Sequence, residues 1–298
     1  MQMTGPGIPA HAPGLSPELV ERYRNEGYLA LGQVLTPAEV AEAKATLTEL
    51  FHKIVNNDAS LKEGKFWNST ESPDARRFFV QYEPGYRFDA RSTVADLELK
   101  VRKLMWFTDQ HPFFDSLVNS HPVIRPVVET LLGEQALLFQ DMALVKPPFI
   151  GSEKPWHQDN AYFEVAPLTA TIGVWIALDD ATVENGCMHV LPGQHNLRPL
   201  VHYHGVDCQI VESNLDTGQV VPVEIASGGA MFFSGLLPHQ TPPNASPLRR
   251  RALQFHFRAA SSRIVSNEEY DRLFVDRDGT PASCKAASTR RKSAAGKL

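Results

Sequence analysis

Apolar positions in the first part of the chain recur at helical spacing, and further along they alternate. "SPELVERYRNEGY" sets Ser16 as a cap and Pro17 at the first helical position, with Leu19, Val20 and Tyr23 on one face. "TPAEVAEAKATLTELFHKIV" is a stronger helix: Thr36 and Glu39 stand at capping-box spacing, and Val40, Ala43, Leu47, Leu50 and Phe51 form the stripe to be buried. "PVIRPVVETLLG" predicts a further short helix closed by Gly133. Residues 56–95 show little period and many polar groups and read as loops. From about residue 136 the pattern becomes short strands separated by turns: "ALLFQDMALVK", "TATIGVWIALDD", "GCMHVLPG", "VVPVEIASGGAMFFSG" and "RRALQFHFRAA". Helices first and strands later predict one α+β domain, mainly β, a barrel or sandwich backed by N-terminal helices.

Three of these strands carry side chains that their faces must explain. In "TATIGVWIAL", Ile172, Val174, Ile176 and Leu178 share one face, while Thr171, Gly173, Trp175 and Ala177 share the other. Small residues plus one large ring suit a face that lines a cavity. In the strand from Leu138, Gln140, Met142, Leu144 and Lys146 fall together, and a glutamine and a lysine there need a reason. Arg250 shares its face with Ala252, Gln254 and His256, opposite Leu253, Phe255 and Phe257. A guanidinium aimed into a small-residue cavity is costly unless it meets an anion.

The candidate chemistry lies in "KPWHQDNAYF" and "LLPHQTPPNASPLRRRALQFHF". On a strand, residues i and i+2 project to the same side roughly 6–7 Å apart, so His157 and Asp159 can converge on one ion. Two histidines and a carboxylate form the facial triad of non-haem iron oxygenases. A His-x-Asp match alone is weak. His239, 80 residues after Asp159, and Arg250, eleven residues further on, give it weight. A dicarboxylate cosubstrate that chelates iron at one end and meets Arg250 at the other satisfies the guanidinium's demand.

At this point the chain resembles the phytanoyl-CoA dioxygenase family of Fe(II)/2-oxoglutarate oxygenases, over about residues 15–260. "KPP" at 146–148, "HQD" at 157–159, "NGCMHVLPGQH" at 185–195 and "HQTPPNASPLRR" at 239–250 stand in family order and spacing. The resemblance implies His157, Asp159 and His239 as iron ligands, with Arg250 and Thr241 holding the distal carboxylate of 2-oxoglutarate. It also implies Lys146 as a cosubstrate-binding lysine, Trp175 as a ring of the same pocket, and a double-stranded β-helix (jelly-roll) core. Gln140 joins the expected pocket from its place beside Lys146 on one face. Expected cofactors are Fe(II), 2-oxoglutarate and O2. Halogenating relatives carry a small residue at the position of Asp159, so its carboxylate points to hydroxylation or another oxidation of a small-molecule substrate, such as an acyl-CoA or a natural-product intermediate. A non-catalytic jelly-roll binding protein would be expected to have lost a ligand or Arg250. A cupin-type metalloenzyme without 2-oxoglutarate would be expected to carry more histidines and no such arginine.

Other residues take plainer readings. His202 and His204 make a rival pair in an expected loop, better suited to a lid than to a metal. His189 and His195 read as packed or exposed polar groups, His256 as a satisfied inward histidine, and Arg249 and Arg251 as outward. Gln158 is a pocket candidate, Tyr162 and Phe163 lean to the substrate entrance, and Cys187 reads as a small buried filler. Lys65, Arg76 and Arg77 could meet an anion, although a solvated loop is the plainer reading.

Composition narrows the class. A 298-residue chain with 43% hydrophobic residues can bury a full core. The net charge is −5, but Lys285, Arg290, Arg291, Lys292 and Lys297 put +5 on the last fourteen residues and leave −10 on the body. An acidic body excludes nucleic acid as the main partner. The expected organisation is a flexible lead over 1–14, one oxygenase domain over 15–278 and a basic, disordered tail over 279–298. Three cysteines without metal-type spacing predict reduced thiols and a cytoplasmic location. The closing "GKL" lacks the small polar residue of a peroxisomal ending, which leaves that compartment the weaker alternative. No apolar run is long enough to span a bilayer, and no membrane partner is expected.

Overall fold

The computed structural model describes residues 15–56, 65–67, 79–86, 91–205 and 207–295. In chain order, α1 (Pro17–Glu26), β1 (Tyr28–Leu31) and α2 (Pro37–Val55) precede β2 (Lys65–Trp67), β3 (Phe79–Tyr82), α3 (Val94–Lys100), β4 (Val101–Met105), α4 (Pro112–Asn119) and α5 (Ile124–Leu132). The strand-rich part runs through β5 (Ala136–Lys146), β6 (Lys154–His157), β7 (Val165–Ala166), β8 (Thr171–Ala177), β9 (Met188–Val190), β10 (His202–His204) and β11 (Cys208–Ile210). It continues with β12 (Val221–Val223), β13 (Ala230–Ser234), β14 (His239–Thr241), β15 (Arg250–Ala259) and β16 (Arg263–Ile264). Two helices follow, α6 (Asn267–Leu273) and α7 (Cys284–Ala295).

The N-terminal helices form as their patterns predict. Ser16 accepts from Leu19 N, and Gly27 ends α1 in the left-handed region at φ 82°, which suits a residue without Cβ. Thr36 and Glu39 close a reciprocal capping box, and the stripe of α2 is buried with Thr46 and Ile54 added. α5 ends at Gly133, also left-handed.

An eight-stranded sheet, β1-β13-β8-β15-β5-β4-β3-β2, faces a four-stranded one, β12-β9-β14-β6. The outer face of the large sheet gives Ile172, Val174, Ile176, Leu253, Phe255 and Phe257 to one core, shared with residues of α2, α4 and α5. Its inner face gives Trp175, Ala177, Met231, Phe233 and Ala252 to a second, against Met188, Val190 and Val223 of the small sheet. This is the double-stranded β-helix, with the alternation of β8 and β15 split between the two layers as expected. Gly173 is required on the inner face, because a Cβ there would stand 2.3 Å from the Phe233 ring.

Four expectations are corrected. The stretch 56–95, read as loops, contributes β2 and β3 to the far edge of the large sheet, paired parallel to each other. Strands of three and four residues are too short to show alternation. The segment 279–298 was expected to be disordered, yet Cys284–Ala295 is helical. An Ala-rich stretch has high helix propensity without any apolar period. Here it is fixed from outside: Arg290 donates to the carbonyls of Pro281 (2.6 Å) and His202 (3.0 Å). Cys208 and Cys284 were expected as reduced thiols but are joined in a disulfide, 76 residues apart in sequence. Only the fold brings them together, so neither spacing nor count reports the bond, and the cysteines do not support a reducing compartment. Finally, His202 and His204 lie on a strand, β10, paired with β11, not in a loop. Cys187 is free and buried. The lead over 1–14 lies outside the described residues. Among these, no helix is long and apolar enough to cross a membrane.

Candidate active site

β14 runs antiparallel to β6 with His239 directly across from His157, so both imidazoles leave the small sheet on one face. Asp159 stands just past β6, at the head of a 3-10 turn (Asp159–Tyr162), and not on the strand itself. The turn still returns its carboxylate to the histidines: Oδ1 lies 3.3 Å from His157 Nε2 and 3.8 Å from His239 Nε2. One ligating atom from each residue falls within 4.8 Å of the others, and all three side chains are buried.

The backbone sets the tautomers. His157 Nδ1 donates to the Pro155 carbonyl at 2.8 Å and His239 Nδ1 to the Leu237 carbonyl at 2.9 Å. Each Nε2 therefore presents a lone pair to the cavity, as metal-ligating histidines require. Burial, aided by the neighbouring His239 and Lys154, pushes His157 down to about 3, and burial also lowers His239. Burial alone would raise Asp159, but His256, His239 and the hydrogen bonds from His157 and His256 hold it well below the usual carboxylate range. At neutral pH the three groups are unprotonated, the state in which they bind a cation.

Asp159 is itself oriented. His256 Nε2 donates to Oδ2 at 2.8 Å and Gln254 Nε2 to the same oxygen at 3.3 Å, which leaves Oδ1 for the histidine pair. Sequence reasoning placed both residues on the inward face of β15 but missed this role. The signal, a polar pair on an inward face, was present without a partner to assign.

Arg250 opens β15 opposite Lys146 at the end of β5. It is 2% exposed, and its Nε and Nη1 have no hydrogen-bond partner among the described residues. Its Cζ lies 5.1 Å from the centre of the Trp175 ring, whose own Nε1 is also unpartnered. Burial lowers the guanidinium to about 10, so it stays charged. Lys146 is pushed down to about 6 by burial and by Arg250, and its Nζ donates to Thr241 Oγ1 at 3.3 Å and to the Thr241 and Pro242 carbonyls. Arg250, Lys146, Thr241 and Trp175 are thus brought together. Gln140 is not: it sits across from His256, six residues before Lys146 on β5, roughly 20 Å along the strand.

The donor set fits a divalent metal: two neutral imidazoles and a carboxylate, oriented by backbone and side-chain hydrogen bonds. The buried, partnerless Nε and Nη1 of Arg250 fit an anionic group.

The other candidates fall elsewhere. His202 Nδ1 donates to Leu200 and its Nε2 accepts from Gln158 N at 3.1 Å, so no lone pair remains for a metal. Gln158 is a structural tie, bonded to the Arg198 and Leu236 carbonyls and to Leu200 N. Tyr162 accepts from Lys154 at 2.6 Å, and Phe163 packs edge-on against Phe139 and His256. Arg249 and Arg251 pair with Glu98 and Asp179. Arg76, Arg77 and the side chain of Lys65 lie outside the described residues.

Known proteins resemble the chain over most of its length. The family model for phytanoyl-CoA dioxygenase (PhyH) matches residues 23–252. A zebrafish (Danio rerio) phytanoyl-CoA dioxygenase domain-containing protein 1 is 28% identical, covering 86% of this chain and 94% of its own. Phytanoyl-CoA dioxygenase 1 of Oryza sativa subsp. japonica is also 28% identical, over 82% and 89%. Among solved structures, EctD from S. alaskensis with 2-oxoglutarate and 5-hydroxyectoine superposes with a TM-score of 0.64 at 19% identity, over 94% and 90% of the two chains. The α-ketoglutarate-dependent carbocyclase SnoK from nogalamycin biosynthesis gives 0.60 at 24% identity, over 86% and 89%. At these identities the structural likeness speaks for the fold.

Proposed function

The chain belongs to the phytanoyl-CoA dioxygenase family, and from that premise we propose that it oxidises a C–H bond of a small organic substrate, such as an acyl-CoA or a natural-product intermediate. The enzyme class is non-haem Fe(II)/2-oxoglutarate-dependent dioxygenase. The observation that carries the proposal is the guanidinium of Arg250, buried over Trp175 with Nε and Nη1 unpartnered among the described residues, on the same strand whose Gln254 and His256 hold Asp159 beside His157 and His239.

His157, Asp159 and His239 would hold the iron, and three protein ligands leave coordination positions for cosubstrate and O2. Bound Fe(II) with 2-oxoglutarate supplies O2 activation, with succinate and CO2 as the coproducts. Arg250 would receive the far carboxylate of 2-oxoglutarate through its planar fork, with Thr241 and Lys146 alongside. Trp175 closes the site to water behind the guanidinium. His256 and Gln254 keep Asp159 turned toward the metal, and its charge makes a further anionic ligand less favourable. Oxidation without halogen transfer follows.

The test is turnover of 2-oxoglutarate to succinate against a metabolite panel with labelled O2, with mass spectrometry of each product. A product gaining one labelled oxygen atom, or losing two hydrogens, is expected, with chloride and bromide without effect on its identity. A halogenated product from the unmutated protein would refute the assigned role of Asp159. No 2-oxoglutarate consumption with any candidate would favour the non-catalytic binding protein.

A further inference from the structure

Behind the turn that carries Asp159 lies a small core of its own. Ala161, Cys208, Tyr270, Phe274 and Cys284 are buried together there, with Tyr162 packed against them. Several ties join this core to the turn Asp159–Tyr162. The Tyr270 hydroxyl donates to the Asn160 carbonyl at 2.6 Å, the Tyr162 hydroxyl donates to the Cys208 carbonyl at 3.1 Å, and α7 lies against the turn itself. Cys208 N also donates to Asp207 Oδ1 at 2.8 Å. Asp207 Oδ2 in turn receives Lys154 at 2.8 Å, with Arg102 at 3.5 Å. Lys154 opens β6, the strand that ends on His157. The carriers of two proposed metal ligands, the turn and β6, thus both lean on Asp207 and Cys208.

The Cys208–Cys284 bond runs through this core and joins β11 to α7. Apart from it, α7 is tied by polar contacts. Arg290 reaches the Pro281 and His202 carbonyls, and His204 Nε2 meets Ser288 Oγ at 2.7 Å and the Cys284 carbonyl at 2.9 Å. Its sequence offers no apolar stripe that would hold it in place once the bond is open. Cys284 is also the first residue of this twelve-residue helix, just after Ser283, whose Oγ accepts from Ala286 N at 3.1 Å. That position stabilises the thiolate of the open form, so the bond yields more readily to a reductant. The remaining thiol stands apart. Cys187 belongs to the inner core, and burial pushes it up to about 12, so it stays protonated and does not exchange.

We propose that the Cys208–Cys284 bond is a redox-operated latch on the metal site. Closed, it holds the Asp159 turn and the Lys154–Asp207 pair in the ligating arrangement. Opened by a dithiol reductant, it frees α7 and weakens the hold on the metal. The exchange balances: the two thiols of the reductant supply two electrons and two protons, Cys208 and Cys284 become thiols, and the reductant closes to its own disulfide. The latch rests on the metal-site reading and adds a control to it.

The test is Mn(II) binding to the full chain before and after reduction by dithiothreitol, with the reductant removed under nitrogen. Free Mn(II) is read by electron paramagnetic resonance. This ion prefers oxygen and nitrogen donors, so the freed thiols do not draw it. Titratable thiols in denaturant should rise from one to three on reduction. The dissociation constant should rise about tenfold or more, the usual effect of losing what orients a ligand. Circular dichroism should stay native, and reoxidation should restore the affinity. Cys208→Ser with Cys284→Ser should bind as weakly as the reduced protein and ignore dithiothreitol, while Cys187→Ala should keep the full response. Equal affinity in both redox states overturns the latch, as do three titratable thiols before reduction or a bond that dithiothreitol leaves intact in the native protein. Loss of native circular dichroism on reduction makes the bond a general staple and also overturns it. The two readings separate in the unreduced protein. No Mn(II) binding there counts against the metal site, and the latch falls with it; tight binding that reduction leaves unchanged counts against the latch alone.

Discussion

Each ligand of the proposed iron site is held by a contact of its own, so single substitutions should separate their roles. His157→Ala, Asp159→Ala and His239→Ala should each abolish turnover while circular dichroism stays native, because each removes a ligand and little packing. Full activity in any one of them would sink the triad. His256→Ala frees the Asp159 oxygen now held at 2.8 Å. A loss of about 10–100-fold in Fe(II) affinity is expected by equilibrium titration, the usual effect of removing the partner that orients a ligand. Arg250→Lys keeps a charge but loses the planar fork. The half-saturating 2-oxoglutarate concentration should rise by about 10–100-fold, with Fe(II) binding little changed. If Arg249→Lys shows that effect instead, the assignment of the anchor is wrong. Residue chemistry was legible where a costly side chain fell on an inward face, as with Arg250 and Lys146. It was not legible for Asp207, whose meaning depends on Lys154 from β6 and Arg102 from β4.

Helices and strands were legible in proportion to their length. α2 spans nineteen residues and β15 ten, long enough for a period to stand out, and both were placed correctly with their buried faces. β2 and β3 were hidden by shortness, and α7 by the lack of any apolar stripe. What holds α7 is the Cys208–Cys284 bond and the bonds from Arg290. Cys284→Ser should therefore lower stability by about 2–4 kcal/mol in denaturant unfolding and expose the 284–295 segment to proteolysis. An unchanged midpoint and unchanged cleavage would contradict this. A second tie joins α2, β8 and β15. Asp179 takes two bonds of 2.8 Å from the Arg251 guanidinium and lies 2.9 Å from Lys44. Burial would raise it, but these partners bring it from 3.8 down to about 2. Because the folded value is depressed, the tie contributes fully above the ordinary value and is lost as pH falls through about 2. Asp179→Asn should cost ~2 kcal/mol at neutral pH, and the gap from the unmutated protein should close as pH falls from 3.8 to about 2. A gap independent of pH would contradict it.

The whole molecule is a closed pair of sheets in which helices cover one face and chemistry occupies the other. The fold class was readable from helices first and alternating strands later. The metal site was readable because one short strand carries His157 and another His239. The sequence could not show that β6 and β14 lie side by side; pairing over 80 residues is a property of the closed fold. In the proposed function, one site binds Fe(II) through the triad and 2-oxoglutarate through Arg250. Anaerobic titration of the unmutated protein with Fe(II), then 2-oxoglutarate, followed by visible absorption, tests it most directly. A metal-to-ligand band is expected that saturates at one equivalent, vanishes in Asp159→Ala and needs far more 2-oxoglutarate in Arg250→Lys. No band in the unmutated protein, or the same band at the same concentration in both variants, would contradict it.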